Sequence, residues 1–184
     1  MDLAISNLTA AAARALLPQL HELLHDAVDS GASVGFLPPL PDAEARHYWH
    51  SVFEAMEAGH RVLLVAREPT TGDLLGTVQL DLATRPNSLL RAEVSKLLVH
   101  LRARRQGVGR QLLVALERLA LELGRTTLVL DTRHGDGAEL LYQSLGYHFV
   151  GAIPAYFINH DGQPHATAVY YKLLTDKGGE WGDM

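Results

Sequence analysis

Residues 92–113, AEVSKLLVHLRARRQGVGRQLL, constrain this chain more than any other stretch. They begin as a strand and pass into a loop carrying Arg102, Arg104, Arg105 and Arg110 with Gly107 and Gly109. A helix follows at once. Val108, Leu112, Leu113, Leu116, Leu119, Ala120 and Leu123 recur on one face, predicting a helix over 107–123 that Gly124 ends. A helix N-terminus presents unpaired backbone N–H groups and about half a positive charge. Glycine lets a ligand approach the backbone closely, and the arginines add charge. The combination describes a pyrophosphate cradle. It is not a Walker loop, because no G-x-x-x-x-G-K-S/T string occurs. It is not a dinucleotide fingerprint either, because Leu112 stands where the third glycine belongs.

Composition narrows what such a cradle serves. The chain has 184 residues, a single-domain length, and no cysteine. A disulfide scaffold, a thiolate zinc site, an iron–sulfur cluster and a cysteine nucleophile are excluded. The net charge of -5 argues against a nucleic-acid partner. The N-terminus lacks a basic start before an apolar run, and apolar runs such as 62–66 fall far short of the ~20 residues that span a bilayer. A cytoplasmic protein without a membrane partner is the expectation. We expect one domain over residues 1–175 and a loose tail over 176–184, while the sequence leaves monomer and homodimer equally open.

The periodicity alternates between 3.6 and 2. A strand is expected at 3–8 and a helix at 10–29, capped by Thr9 or Asn7, with Pro18 marking a break or a first helical turn. A Gly/Pro-rich loop covers 30–41, and Asp42 reads as the N-cap of a helix that stops at Gly59. Strands follow at 61–67, 74–82 and 90–100, then at 126–131, 147–153 and 167–173, with a short helix at 137–145. The fold class is α/β (α+β): a mainly antiparallel sheet of about 6–7 strands flanked by about four helices.

Arg104-Arg105-Gln106-Gly107-Val108-Gly109 matches R-x-x-G-x-G, and Ala138 to Tyr147 matches A-x-x-x-Y-x-x-x-G-F/Y around Tyr142. Both strings, in this order of elements, resemble the GNAT superfamily of N-acetyltransferases. Residues 31–36 (GASVGF), 91–94 (RAEV), 130–132 (LDT) and 170–172 (YYK) are similar to its tabtoxin resistance protein branch, whose members acetylate a small amino-acid-like toxin. The resemblance implies acetyl-CoA as cosubstrate and a small-molecule amine as acceptor. It implies that the backbone of Leu97, Leu98 and Val99 pairs with the pantetheine arm. The backbone from Arg104 through Arg105, Gln106, Gly107, Val108 and Gly109 to Arg110 would hold the pyrophosphate. One departure stands out: the asparagine often found seven residues before the tyrosine is Gly135 here, beside Asp136.

Acetyl transfer needs a free amine, and freeing the lone pair of an amine of pKa ~10 at pH 7 costs ~4 kcal/mol. It also needs help for the departing thiolate. The resemblance makes Glu93 the base, with Asp131 as rival or as orienting partner, and makes Tyr142 the acid. Amides near Leu98 and Val99 would polarise the thioester carbonyl. Residues 31–36 and 154–156 are candidate pocket walls, with Phe36, Tyr156 and Tyr171 against the substrate. A non-catalytic acyl-CoA-binding module is the alternative reading.

His21-Glu22-Leu23-Leu24-His25 satisfies H-E-x-x-H, a zinc-peptidase pattern. The apolar stripe around Leu20 and Leu24 is expected to leave His25 towards solvent, and no third ligand stands at a helpful spacing. The expectation is therefore a surface helix and no metal.

Overall fold

A computed structural model describes residues 2–174, so the expected tail at 176–184 lies outside the described residues. Seven strands form one sheet: β1 (Ala4–Asn7), β2 (Arg61–Arg67), β3 (Leu74–Leu82), β4 (Arg91–Val99), β5 (Thr127–Arg133), β6 (His148–Ile158) and β7 (Pro164–Leu173). Their spatial order is β1-β2-β3-β4-β5-β7-β6. Every neighbouring pair is antiparallel except β4 and β5. The helices are α1 (Ala10–Ala15), α2 (Leu17–Asp29), α3 (Asp42–Glu57), α4 (Val108–Glu122) and α5 (Ala138–Ser144).

Five helices stand where about four were expected. The helix expected over 10–29 divides at Leu16, and Pro18 opens the second piece, where a missing N–H costs nothing. The side chain of Thr9 accepts from the Ala12 amide at 3.2 Å and caps α1. Asp42 does not cap α3. Pro41 holds the cap position and Asp42 is the first helical residue. Strands β6 and β7 run longer than their apolar patterns suggested, because each completes its ladder with the other up to Ile158 and Pro164.

The run RVLLVAR in β2 explains how one sheet serves two cores. Leu63 and Val65 pack with Leu20, Leu24, Trp49 and Phe53 of α2 and α3. Leu64 and Ala66 pack with Leu112, Leu113 and Leu116 of α4. Alternate strand residues point to opposite faces, so a strand covered on both sides must be apolar throughout.

Two irregularities open the sheet at its centre. β4 pairs with β5 only from Arg91↔Thr127 to Glu93↔Val129. Beyond Glu93 the strands part. β4 also bulges: Gln79 faces Ser95 and Thr77 faces Leu98, so one extra residue sits in β4, and Lys96 takes a φ of 49°. The bulge re-aims the strand away from β5 and leaves a wedge between them.

Candidate active site

The wedge is a cleft of ≈1240 Å³ running between β4 and β5. The loop before α4 lies at one end, past Val99, and Glu93 lies at the other, where the β4–β5 pairing stops. Residues 30–37 line it alongside, from Ser30 at Arg104 to Val34 at Lys96, and Tyr156 and Asn159 line it too.

At the first end, Gly107 is the N-cap of α4 with φ 84°. The first bond of that turn runs from Gln111 N to the Gly107 carbonyl at 3.1 Å. The amides of Val108, Gly109 and Arg110 therefore open towards the cleft end rather than into the helix. Gly109 lets α5 approach: a Cβ there would stand 3.2 Å from Leu141 Cδ2.

The four arginines divide their work. Arg105 and Arg110 line the cleft, and Arg110 Nη2 donates to Ser144 Oγ at 2.6 Å, tying α4 to α5. Arg104 lines it too, but its Nε donates to the Val99 carbonyl at 3.1 Å and its Nη2 to Ser30 Oγ at 2.5 Å. It braces the loop. Arg102 pairs with Asp73 at 3.0 Å, outside the cleft lining. Gln106 turns its side chain to the Arg102 carbonyl at 2.9 Å. The local positive charge counted from the sequence is thus partly spent on structure.

Glu93, Asp131 and Tyr142 all line the cleft. Glu93 faces Asp81 across β3–β4 and Val129 across β4–β5. Burial pushes its carboxyl above the ordinary 4.5, and the negative charges of Asp81 and Asp131 add to this. Asp131 accepts from Thr167 Oγ1 at 2.8 Å, which fixes its carboxylate from β7. Tyr142 is buried against Tyr147 and Tyr170, with ring centroids 5.7 and 6.2 Å away. Burial raises its phenol pKa well above 10.0. At Gly135 no side chain reaches the cleft; its amide donates to Glu139 Oε1 at 2.5 Å, and Asp136 lines the cleft instead.

Leu97, Leu98 and Val99 form the β4 side of the wedge, past the last β4–β5 pair. Phe36 and Tyr156 line the cleft. Tyr171 is not among the lining residues. It points to the side of β7 opposite the buried Tyr170 and stacks on His148, with ring centroids 5.3 Å apart. Strand alternation puts Tyr170 inside and Tyr171 outside.

The structure adds residues that sequence reasoning passed over. Lys96 lines the cleft; its ammonium donates to the Val34 carbonyl at 2.7 Å and lies 5.9 and 5.8 Å from the Phe36 and Tyr48 ring centroids. Burial, then the charge of Arg61, lowers its pKa. Arg61 pairs with Asp81, whose other oxygen accepts from Ser95 Oγ at 2.7 Å. Asn159 is buried in the cleft lining, and its Nδ2 has no hydrogen-bond partner. A lysine directly before the apolar run Leu97-Leu98-Val99 of β4 was the available signal for Lys96.

The H-E-x-x-H helix also differs from expectation. His25 is only partly turned to solvent: its side chain is 24% exposed, but its Nε2 is buried, and Asp42 Oδ1 lies 3.4 Å away. The third member of the cluster, the acidic Asp42, comes from α3, too far along the chain for spacing to show it.

The acetyltransferase (GNAT) family pattern matches residues 20–147. Solved structures of the same architecture include an N-acetyltransferase from Staphylococcus aureus Mu50, 21% identical, with a TM-score of 0.78 over 95% of this chain and 100% of that one. A ribosomal-protein-alanine N-acetyltransferase from Brucella melitensis is 26% identical, with a TM-score of 0.76 over 94% of this chain and 100% of its own. A phosphinothricin acetyltransferase from Sinorhizobium meliloti, in complex with AcCoA, is 20% identical, with a TM-score of 0.75 over 99% of this chain and 95% of its own. With a cradle, a wedge beside β4 and a match over more than half its length, this chain belongs to the GNAT family of acetyltransferases, enzymes that use acetyl-CoA.

Proposed function

We propose that this enzyme transfers the acetyl group of acetyl-CoA to the amine of a small amino-acid-like molecule, by direct attack. The observation that carries the reading is the polarity of the cleft. One end gathers backbone amides, Arg105 and Arg110; towards the other stand Glu93, Asp131 and Lys96, and Asn159, whose Nδ2 has no hydrogen-bond partner among the described residues, lines the same cleft.

The first end suits the CoA pyrophosphate. The pantetheine arm lies along Leu97 to Val99, where β4 has lost β5 as a neighbour. Its thioester is then brought to the carboxylates. Glu93 takes the amine proton, directly or through water, and its raised pKa brings it closer to working pH. Asp131 orients the amine. The nitrogen attacks the thioester carbon; the new C–N bond forms, the carbonyl is restored, and the C–S bond breaks. Tyr142 serves the sulfur as a hydrogen-bond donor. A phenol above 10.0 is a weaker acid than a thiol of pKa ~8.5, so its proton stays on oxygen and steadies the departing thiolate as a hydrogen bond, while the proton that Glu93 removed from the amine returns through water to the CoA sulfur. The Lys96 ammonium and Asn159 Nδ2 suit an acceptor carboxylate. Such a substrate matches the tabtoxin resistance branch, and phosphinothricin, named in a similar structure, belongs in the test panel.

The test is CoA release from acetyl-CoA with free amino acids, their carboxyl-amidated analogues, amino-acid-like toxins, aminoglycosides and peptides. The reading expects turnover with free amino acids or toxins and at least about 10-fold less when the carboxylate is masked. Acetyl-CoA binding without turnover of any amine would favour the non-catalytic module.

A further inference from the structure

His21, His25 and Asp42 lie outside the cleft lining, and the acetyl-transfer reading uses none of them. The two histidines are four residues apart on α2, so they share one face, with ring centroids 4.6 Å apart. Asp42 opens α3 and reaches the same space. One ligand atom from each lies within 4.8 Å of the others. We propose that His21, His25 and Asp42 form a binding site for a zinc-like divalent transition-metal ion, clipping α2 to α3 beneath the loop that walls the acceptor end of the cleft.

Three observations support it. First, the spacing fits. A tetrahedral ion with bonds of ~2.0–2.1 Å holds neighbouring ligand atoms about 3.3 Å apart. Asp42 Oδ1 is 3.4 Å from His25 Nε2 and 3.9 Å from His21 Nε2. Second, His25 Nε2 is buried with no hydrogen-bond partner. A polar atom so placed carries a desolvation cost that an ion would relieve. Third, Asp42 is not used as a helix cap, so its Oδ1 remains aimed at the histidines, while Oδ2 faces Arg46 Nη2 at 3.8 Å. Two imidazoles and one carboxylate suit zinc, nickel or copper rather than calcium or magnesium.

The ion would not make a peptidase. Glu22, the residue that pattern uses as base, is directed to His100 Nε2, 3.8 Å away. The site is better placed as a clip. α2 ends at Asp29 and α3 starts at Asp42, and residues 30–37 of the segment between them line the cleft. An ion held by His21, His25 and Asp42 fixes one end of that segment and favours a single placement of the acceptor wall.

The test uses the full chain without an affinity tag, stripped by chelation and titrated with zinc against a competing chromophoric chelator. One equivalent should bind. His25→Ala and Asp42→Asn should each weaken binding at least about 100-fold, more than loss of an outer-shell partner does, whereas Glu22→Gln should stay within about 2-fold. Zinc should raise the melting temperature of the wild type and not of Asp42→Asn, whose exposed side chain can change without loss of fold. Acetyl-CoA binding by each variant checks that it is folded. No binding by the wild type at about 100 μM free zinc, or undiminished binding by folded His25→Ala or Asp42→Asn, would overturn the proposal.

Discussion

The ammonium of Lys96 donates to the carbonyl of Val34 at 2.7 Å, joining the bulge of β4 to the 30–37 loop of the cleft lining. Sixty-two positions separate the two residues. The bond makes the shape of this wall, the proposed acceptor wall, depend on the same strand irregularity that opens the cleft.

Lys96→Met should therefore loosen acceptor binding and leave the cofactor end alone. It removes the donor to Val34 and the cation beside Phe36 and Tyr48. The acceptor KM should rise about 10-fold, the scale of one charge-assisted bond. Acetyl-CoA affinity by calorimetry should stay within about 2-fold. Equal losses at both ends would mean that the residue holds the whole cleft rather than its acceptor wall.

Glu93 should set the acidic limb of kcat/KM. Burial raises its pKa, and Asp81 and Asp131 raise it further. Asp81→Asn removes one of those charges and frees Arg61, so both effects lower the Glu93 pKa and move the limb to lower pH. The stability sign also follows. A carboxyl with a raised folded pKa binds protons more tightly folded than unfolded, so stability falls as pH rises from 4.5 through the folded value. Glu93→Gln should abolish most turnover yet raise the melting temperature more at pH 8 than at pH 4. An unmoved limb in Asp81→Asn would remove Glu93 as the titrating group.

Gly107 separates strain from charge. Its φ of 84° costs an ordinary residue ~1–2 kcal/mol, yet a Cβ there would meet no heavy atom within 4 Å. Gly107→Asn, which tolerates this conformation, should lose little acetyl-CoA affinity. Gly107→Asp adds a negative charge at the cradle and should lose about 100-fold or more, with the deficit shrinking in high salt. Matching affinities for the two variants would place the pyrophosphate elsewhere.

Tyr142→Phe isolates the hydroxyl, because the ring keeps its contacts with Tyr147 and Tyr170. kcat should fall roughly 10²-fold or more while acetyl-CoA affinity changes little. Acetyl thioesters with better leaving groups should narrow the gap. A wild-type kcat across pH 6 to 9 would show that the sulfur departs unaided.

Much of the fold was legible in local pattern. The RVLLVAR run announced a strand covered on both faces, and the spacing of Val108, Leu112 and Leu116 announced α4. Cap chemistry was less dependable. Thr9 caps α1 as expected, but Asp42 yields the cap position to Pro41, whose carbonyl accepts from the Glu44 and Ala45 amides, and turns instead towards the histidines of α2. Phe36 and Tyr156 reached the cleft, whereas Tyr171 is carried to the other face of β7 by a register that aromatic content does not reveal.

By itself the sequence determined the elements, the Gly/Arg turn into α4 and the residue types that meet in the cleft, because periodicity and backbone freedom act within a few residues. The tertiary structure alone decided the partners. It parted β4 from β5 beyond Glu93, raised the Glu93 carboxyl by burial and then by charges from β3 and β5, set Lys96 against the Val34 carbonyl, and brought Asp42 to His21 and His25. Each of these joins groups distant along the chain, and burial and Coulomb interaction depend on distance in space, which no local spacing encodes.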